Sequence, residues 1–178
     1  DPENGTIEVS GSNAVYNPNA SFNGSDSFEF TVSDGLLSDT ATVNLTVNAV
    51  NDAPVLDSVS DVSFDEDGSG SISLTSSDVD GDSLTYSVSG GSELTITATL
   101  DGSNISFSSP ADFNGSENFT ITVSDGDLTD SQVMTVTVNA VNDAPVASTG
   151  LSGTGEEDQS ISILLTGSDV DGDVLRYS

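Results

Sequence analysis

The chain has no cysteine, no histidine, no lysine and no tryptophan, and its one basic residue is Arg176. Without cysteine there is neither a disulfide to staple a small domain nor thiol chemistry to use. Without histidine or lysine, the serines have no base partner and the usual nucleophile and general-base pairs cannot be assembled, so an enzyme is not expected. One base against 30 acids leaves a net charge of −29. Such a surface repels phosphate, which argues against nucleic acid as a partner. There is no apolar run of about 18 residues, so direct membrane insertion is not expected, and no basic segment followed by an apolar stretch marks a signal peptide.

What the chain does have is Thr, Ser, Val, Asp, Asn and Gly, with 34% hydrophobic and only 6% aromatic residues, the composition of short strands and acidic turns. It also repeats. Val47-Asn48-Ala49-Val50-Asn51-Asp52-Ala53-Pro54-Val55 returns as the run from Val138 to Val146, an offset of 91 residues. Phe22-Asn23-Gly24-Ser25 returns at Phe113, Thr31-Val32-Ser33-Asp34-Gly35 at Thr122, and Ser77-Asp78-Val79-Asp80-Gly81-Asp82 at Ser168, all with the same offset. That period is too long for a solenoid repeat and suits one small domain.

Residues 1–50 read as the back half of a repeat, 51–141 as a complete repeat and 142–178 as the front half of the next. In the first, Thr6 to Val9, Asn13 to Tyr16, Ser27 to Val32 and Thr42 to Val47 alternate as strands. In the second, strands are expected over Asp61 to Phe64, Ser71 to Thr75, Ser83 to Val88, Glu93 to Leu100, Asn104 to Phe107, Asn118 to Val123 and Gln132 to Val138. Short strands separated by turns at this spacing predict an all-β chain of tandem immunoglobulin-like β-sandwich domains in an elongated array. Alternation assigns Phe22, Phe28, Phe30, Phe113 and Phe119 to cores in preference to a carbohydrate-binding platform. The plain reading of the two halves is an excerpt of a longer array. The sharper one is head-to-tail assembly, residues 144–178 supplying front strands to residues 1–50 of another copy.

The acids gather in register: Asp65-Glu66-Asp67 with Glu156-Glu157-Asp158, Asp78/Asp80/Asp82 with Asp169/Asp171/Asp173, Asp34 with Asp125, and Asn51-Asp52 with Asn142-Asp143. Carboxylates packed together repel one another, whereas calcium takes six to eight hard oxygen ligands, so the clusters point to a cation. Asp78, Asp80 and Asp82 have the odd-numbered spacing that opens an EF-hand loop, but Ser83 stands where its turn glycine belongs and Ser89 where its bidentate Glu belongs. A lone acidic turn is ordinarily just solvated; recurrence of four clusters in one register is the argument for metal.

These motifs resemble the cadherin family, and most closely the cadherin-like tandem repeats of large bacterial surface proteins and adhesins. The joint Ala49-Val50-Asn51-Asp52-Ala53-Pro54-Val55 resembles the cadherin linker, and Asp78-Val79-Asp80 followed by Tyr86 resembles its Asp-x-Asp loop. Glu66 sits where cadherins keep a Glu after the first strand, and Asp125 where they keep an Asp before the last. The resemblance implies calcium at two joints: Asn51, Asp52, Asp78, Asp80 and Asp125 at the first, and Glu66, Asn142, Asp143, Asp169 and Asp171 at the second. Asp34 would serve a preceding joint, and Asp65, Asp67, Asp82, Asp112, Glu157 and Asp173 are outer candidates. One cadherin element, Leu-Asp-Arg-Glu, is replaced by Ala111-Asp112-Phe113-Asn114 and by Ser21-Phe22-Asn23, so Ser21 cannot match a carboxylate there. The implied function is a calcium-stiffened spacer of an extracellular or cell-surface adhesin, with neighbouring repeats of the same chain as its partners. A self-assembling filament of head-to-tail copies and a carbohydrate-binding module are the alternatives.

Overall fold

Alternating apolar and polar residues bounded by Gly, Asp and Asn favour strands, and the computed structural model, which describes residues 1–91 and 95–178, has strands and no helix among them. In chain order they are β1 (Gly5–Ser10), β2 (Asn13–Pro18), β3 (Gly24–Ser33), β4 (Ser38–Val47), β5 (Val55–Leu56), β6 (Val62–Asp65), β7 (Ser69–Ser73) and β8 (Ser76–Ser77). There follow β9 (Thr85–Gly90), β10 (Thr97–Asp101), β11 (Asn104–Ser108), β12 (Gly115–Ser124), β13 (Thr129–Asn139), β14 (Val146–Ala147) and β15 (Gly167–Ser168). The strand expected over Ser83 to Val88 starts only at Thr85, because the acidic loop ahead of it is closed by its own side chains. Of the strand expected over Glu93 to Leu100, Glu93 and Leu94 lie outside the described residues, and β10 begins at Thr97 after a turn at Thr95.

Two sheets face each other between residues 54 and 139: β6-β13-β12-β9 and β10-β11-β7. Period-two alternation turns Phe119, Ile121 and Val123 of β12 and Met134, Val136 and Val138 of β13 toward Leu74, Ile105 and Phe107. The Phe107 and Phe119 rings meet across the gap at 5.3 Å and 60°, within the range where tilted aromatic pairs attract. Full burial of each such side chain is worth roughly 1.5–3 kcal/mol. The sheets thus form the expected β-sandwich.

The pairing of β6 with β13 is parallel, Val62 opposite Val136 through Asp65 opposite Asn139. Both strands therefore run toward the same end of the sandwich, and the chain leaves β6 at Glu66 beside the segment that leaves β13 at Val141. This positions the site described below. The entry segment ahead of β6 is held by side chains of β13: Leu56 N–H donates to Asp130 Oδ2 at 2.9 Å, and Val59 N–H to Gln132 Oε1 at 3.0 Å. Gln132 Nε2 donates in turn to the Leu56 and Asp57 carbonyls.

Residues 1–50 form the hairpins β1-β2 and β3-β4, and among the described residues beyond 145 only β14 and β15 pair. The two front segments place the bulk of one contact on opposite sides. A Cβ on Gly70 would lie 2.6 Å from Val62 Cγ1 and 2.8 Å from Phe64 Cδ1. In the next repeat Ile161 takes the place of Gly70, while Gly153 and Gly155 take the places of Val62 and Phe64; a Cβ on either would lie 2.7 Å from Ile161.

Candidate metal centre

Glu66 is the one buried charged residue among the described residues, 6% exposed. It follows β6 in a tight turn, with its own N–H donating to the Asn139 carbonyl at 2.9 Å. Its Oε1 accepts the Val141 N–H at 2.5 Å, which ties the linker to the end of the sandwich. Its Oε2 is buried without a hydrogen-bond partner. A buried, unsatisfied carboxylate oxygen costs free energy unless something positive meets it, and the chain has no lysine or histidine to do so.

Asp143 and Asp171 meet it instead: Glu66, Asp143 and Asp171 bring ligand oxygens within 4.8 Å of one another, and so do Asp67, Asp112 and Asp143. Asp143 belongs to both trios. Burial raises its carboxyl pKa above the ordinary aspartate value, and Asp112, Asp171, Asp67 and Glu66 push it further the same way. Asp67 and Asp112 both have left-handed backbone, φ 62° and 58°, which Asp tolerates better than most residues. Five carboxylates from the end of one sandwich, the linker and the following loop thus converge.

The loop side is preorganised by its own first residue. Asp78 Oδ1 accepts the N–H groups of Asp80, Gly81 and Asp82 at 2.9, 3.0 and 3.3 Å, leaving its Oδ2 buried and unpartnered, and the three carboxylates form a third cluster. Gly81 has φ +80°, which closes the turn. In the following repeat Asp169 Oδ1 accepts the Asp173 N–H at 3.1 Å.

Each linker is pinned to the next loop by the same contact. Asp52 N–H donates to Asp80 Oδ2 at 2.8 Å, and Asp143 N–H to Asp171 Oδ2 at 2.7 Å. At the first joint Asn51 Nδ2 also donates to Asp125 Oδ2 at 2.9 Å. Asp125 Oδ1 accepts the N–H groups of Asp127 and Leu128 at 2.7 Å each. The Leu128 and Asn51 bonds hold its carboxyl below the usual range, and Asp34 is lowered in the same way by the N–H groups of Leu37 and Leu36.

The structure therefore pairs Asn51 with Asp125 and Asp52 with Asp80, and gathers Glu66, Asp143 and Asp171, with Asp67 and Asp112 clustered on the same Asp143. Asp82 stays in its own loop with Asp78. Asp65 turns aside and accepts Asn139 Nδ2 at 3.1 Å, while Asn142 Nδ2 donates to the Asp143 carbonyl at 3.0 Å. Asp169 and Asp173 line an open cleft of about 430 Å³ with Asn142, Asp143, Arg176 and Tyr177. Glu157 is exposed on its turn. Sequence reasoning missed the Val141 N–H and the sharing of Asp143 between two trios; the former leaves no mark in side-chain identity. The donor set fits calcium: hard carboxylate oxygens in excess, two of them, Glu66 Oε2 and Asp78 Oδ2, buried and unpartnered.

A family described as Bacterial Ig domain matches residues 1–46 and 51–137. No curated protein matches the chain. Among solved structures, human protocadherin-24 EC1-2 is 27% identical over 67% of this chain and 62% of that one, with a TM-score of 0.44. An endo-fucoidan hydrolase of glycoside hydrolase family 107, MfFcnA4, is 26% identical over 72% of this chain, with a TM-score of 0.39. The chain spans 20% of that hydrolase's length. Surface layer protein SbsC, domains 4–9, is 15% identical over 92% of this chain and 26% of that one, with a TM-score of 0.32.

Proposed function

From a chain that belongs to the Bacterial Ig domain family, we infer a calcium-clamped spacer, a run of immunoglobulin-like repeats whose joints are made rigid by cations in a secreted or cell-surface adhesin. The repeat segments are 1–50, 51–141 and 142–178. The observation that carries this reading is Glu66, buried with one oxygen unpartnered and facing the carboxylates of Asp143 and Asp171 across a joint.

At the second joint Glu66, Asp143 and Asp171 would hold one cation and Asp67, Asp112 and Asp143 another. At the first, Asn51, Asp52, Asp78, Asp80 and Asp125 supply the ligands. Bound calcium supplies neutralisation of charge that the chain itself cannot. The protein's own part is alignment: the Asp52 and Asp143 N–H groups fix each linker on the following loop, and Val141 fixes it on the preceding sandwich. Extracellular calcium modules bind at about 10⁻⁴–10⁻³ M, which suits millimolar calcium outside cells.

Thermal melts of the chain in calcium and in chelator test the reading. At about a hundred times Kd, one cation adds about 2.7 kcal/mol, on the order of 10 °C for a domain of this size. Glu66→Gln keeps an acceptor for Val141 and removes a charge. It is expected to melt in chelator at or above the unaltered chain and to lose most of the calcium increment. Equal melts with and without calcium would remove the assignment.

A further inference from the structure

The edge of β13 that faces away from β12 is tied to the preceding chain well beyond its pairing with β6. Leu56 N–H meets Asp130, Val59 N–H meets Gln132, and Asp61 Oδ1 accepts the Thr135 N–H at 2.7 Å. Val62 to Asp65 then pair with Val136 to Asn139, and Glu66 takes the Val141 N–H. These partners stay 73 to 75 residues apart, so the two runs are parallel from Leu56 to Glu66. Ahead of Val62 the ties are made by side chains, and Gln132 makes three of them.

Tension along a spacer enters this repeat through the linker ahead of Leu56 and leaves through the linker after Asn139. It draws the entry segment toward the first joint and β13 toward the second. Parallel runs drawn apart at opposite ends slide past each other, so every tie between them is strained at once, whereas a pair peeled from one end gives way one bond at a time. Opening under force follows the unfolding rate, and a contact that must break at the barrier lowers that rate. The neighbouring repeats lack parts of this arrangement. At the 91-residue offset Ala41 stands for Gln132 and Ser152 for Asp61. Alanine has no group to reach a facing N–H or carbonyl, and a serine hydroxyl is a shorter and weaker acceptor than a carboxylate.

We propose that Asp61, Asp130 and Gln132 form a load-bearing side-chain strap that makes the complete repeat the strong link of the array, so that the repeats before and after it yield first. The proposal deepens the spacer reading and rests on it only for the presence of tension. None of the three residues belongs to the candidate cation sets, so the strap acts whether or not a cation holds the joints. The array is then graded: under a rising load the weaker repeats lengthen while this one stays closed.

Single-molecule pulling on the whole chain, held by its two ends in millimolar calcium and about 0.15 M salt, tests this. The complete repeat is expected to open in one step that releases roughly 300 Å, the extended length of about 90 residues. Gln132→Ala and Asp61→Ser install the residues of the preceding and the following repeat. At a fixed force Gln132→Ala is expected to open roughly tenfold faster, and Asp61→Ser, at an exposed position that leaves the core untouched, is expected to open faster as well. Ile105→Val, in β11 of the facing sheet, is the control: it lowers the thermal midpoint but is expected to change the opening rate less than about twofold. Acceleration by Ile105→Val equal to that by Gln132→Ala, for equal losses in a thermal melt, overturns the proposal, because the strap then adds ordinary stability only. So does an early step of roughly 35 Å, about ten residues peeling by themselves, since the strap would have parted without holding the sandwich. All variants keep every candidate cation ligand and are compared in one buffer, so a failure of the calcium reading, seen in the melts, leaves this comparison intact.

Discussion

Single carboxylates differ most in what their surroundings ask of them. Site-resolved titration in chelator is expected to place Asp143 above the ordinary aspartate value and Asp125 and Asp34 below it. For Asp143 the folded chain holds the proton more tightly than the unfolded one. Its contribution is present below about pH 3.8 and is lost as pH rises through the elevated value. Without calcium, then, the second joint is expected to loosen toward neutral pH, and calcium should abolish that trend. Asp26 is the opposite case. Burial raises its pKa, but the N–H of Asn4, the Tyr16 hydroxyl and the N–H groups of Ser27 and Glu3 together bring it down to about 2. Its stabilisation of the first hairpins is present above 3.8 and lost as pH falls through about 2. Tyr16, raised to about 12 by burial and by the hydrogen bond and charge of Asp26, holds its contribution below pH 10 and loses it through 12. Proton-coupled chemical shifts of these four aspartates and Tyr16 read all of this directly.

Among the elements, β12 and β13 carry the sandwich. Ile121→Ala is expected to cost about 2–5 kcal/mol in urea or thermal unfolding. Its counterpart Phe30→Ala, on an exposed face, should cost the same transition almost nothing. Gln132→Ala removes three hydrogen bonds to the entry segment and is expected to cost about 1–3 kcal/mol. Equal losses from Ile121→Ala and Phe30→Ala would mean that the repeats melt as one body. Much of this was legible beforehand: alternation marks Phe119, Ile121 and Val123, and the offset of 91 puts every acidic cluster in register. The parallel pairing of β6 with β13 was not, because sheet order is set by long-range packing that leaves no local pattern. Nor was the burial of Glu66, since a glutamate between two aspartates in a turn reads as solvated until the Val141 N–H arrives from 75 residues away. Beyond residue 145, periodicity alone could not say that only β14 and β15 would pair, because strand formation needs neighbours as well as pattern.

Across the whole molecule the two joints are unequal. Ser21, with φ 56°, has the backbone of Asp112 and none of its charge. Limited proteolysis in rising calcium is therefore expected to protect Val141 to Pro145 at lower concentration than Val50 to Pro54, and Asp112→Ser should shift the second joint toward the behaviour of the first. Simultaneous protection of both linkers would count against the ligand sets proposed for them. The opposed packing of Gly70 under Val62 and Phe64, and of Ile161 over Gly153 and Gly155, bears on how such an array can change over generations. Copying Ser160–Leu164 into the place of Ser69–Ser73 would drive an isoleucine into two bulky neighbours, and the reverse copy would leave glycine facing glycine over a hole. Recombination between these repeats can pass on a front segment whole, but a crossover between its strands yields a chain that cannot pack.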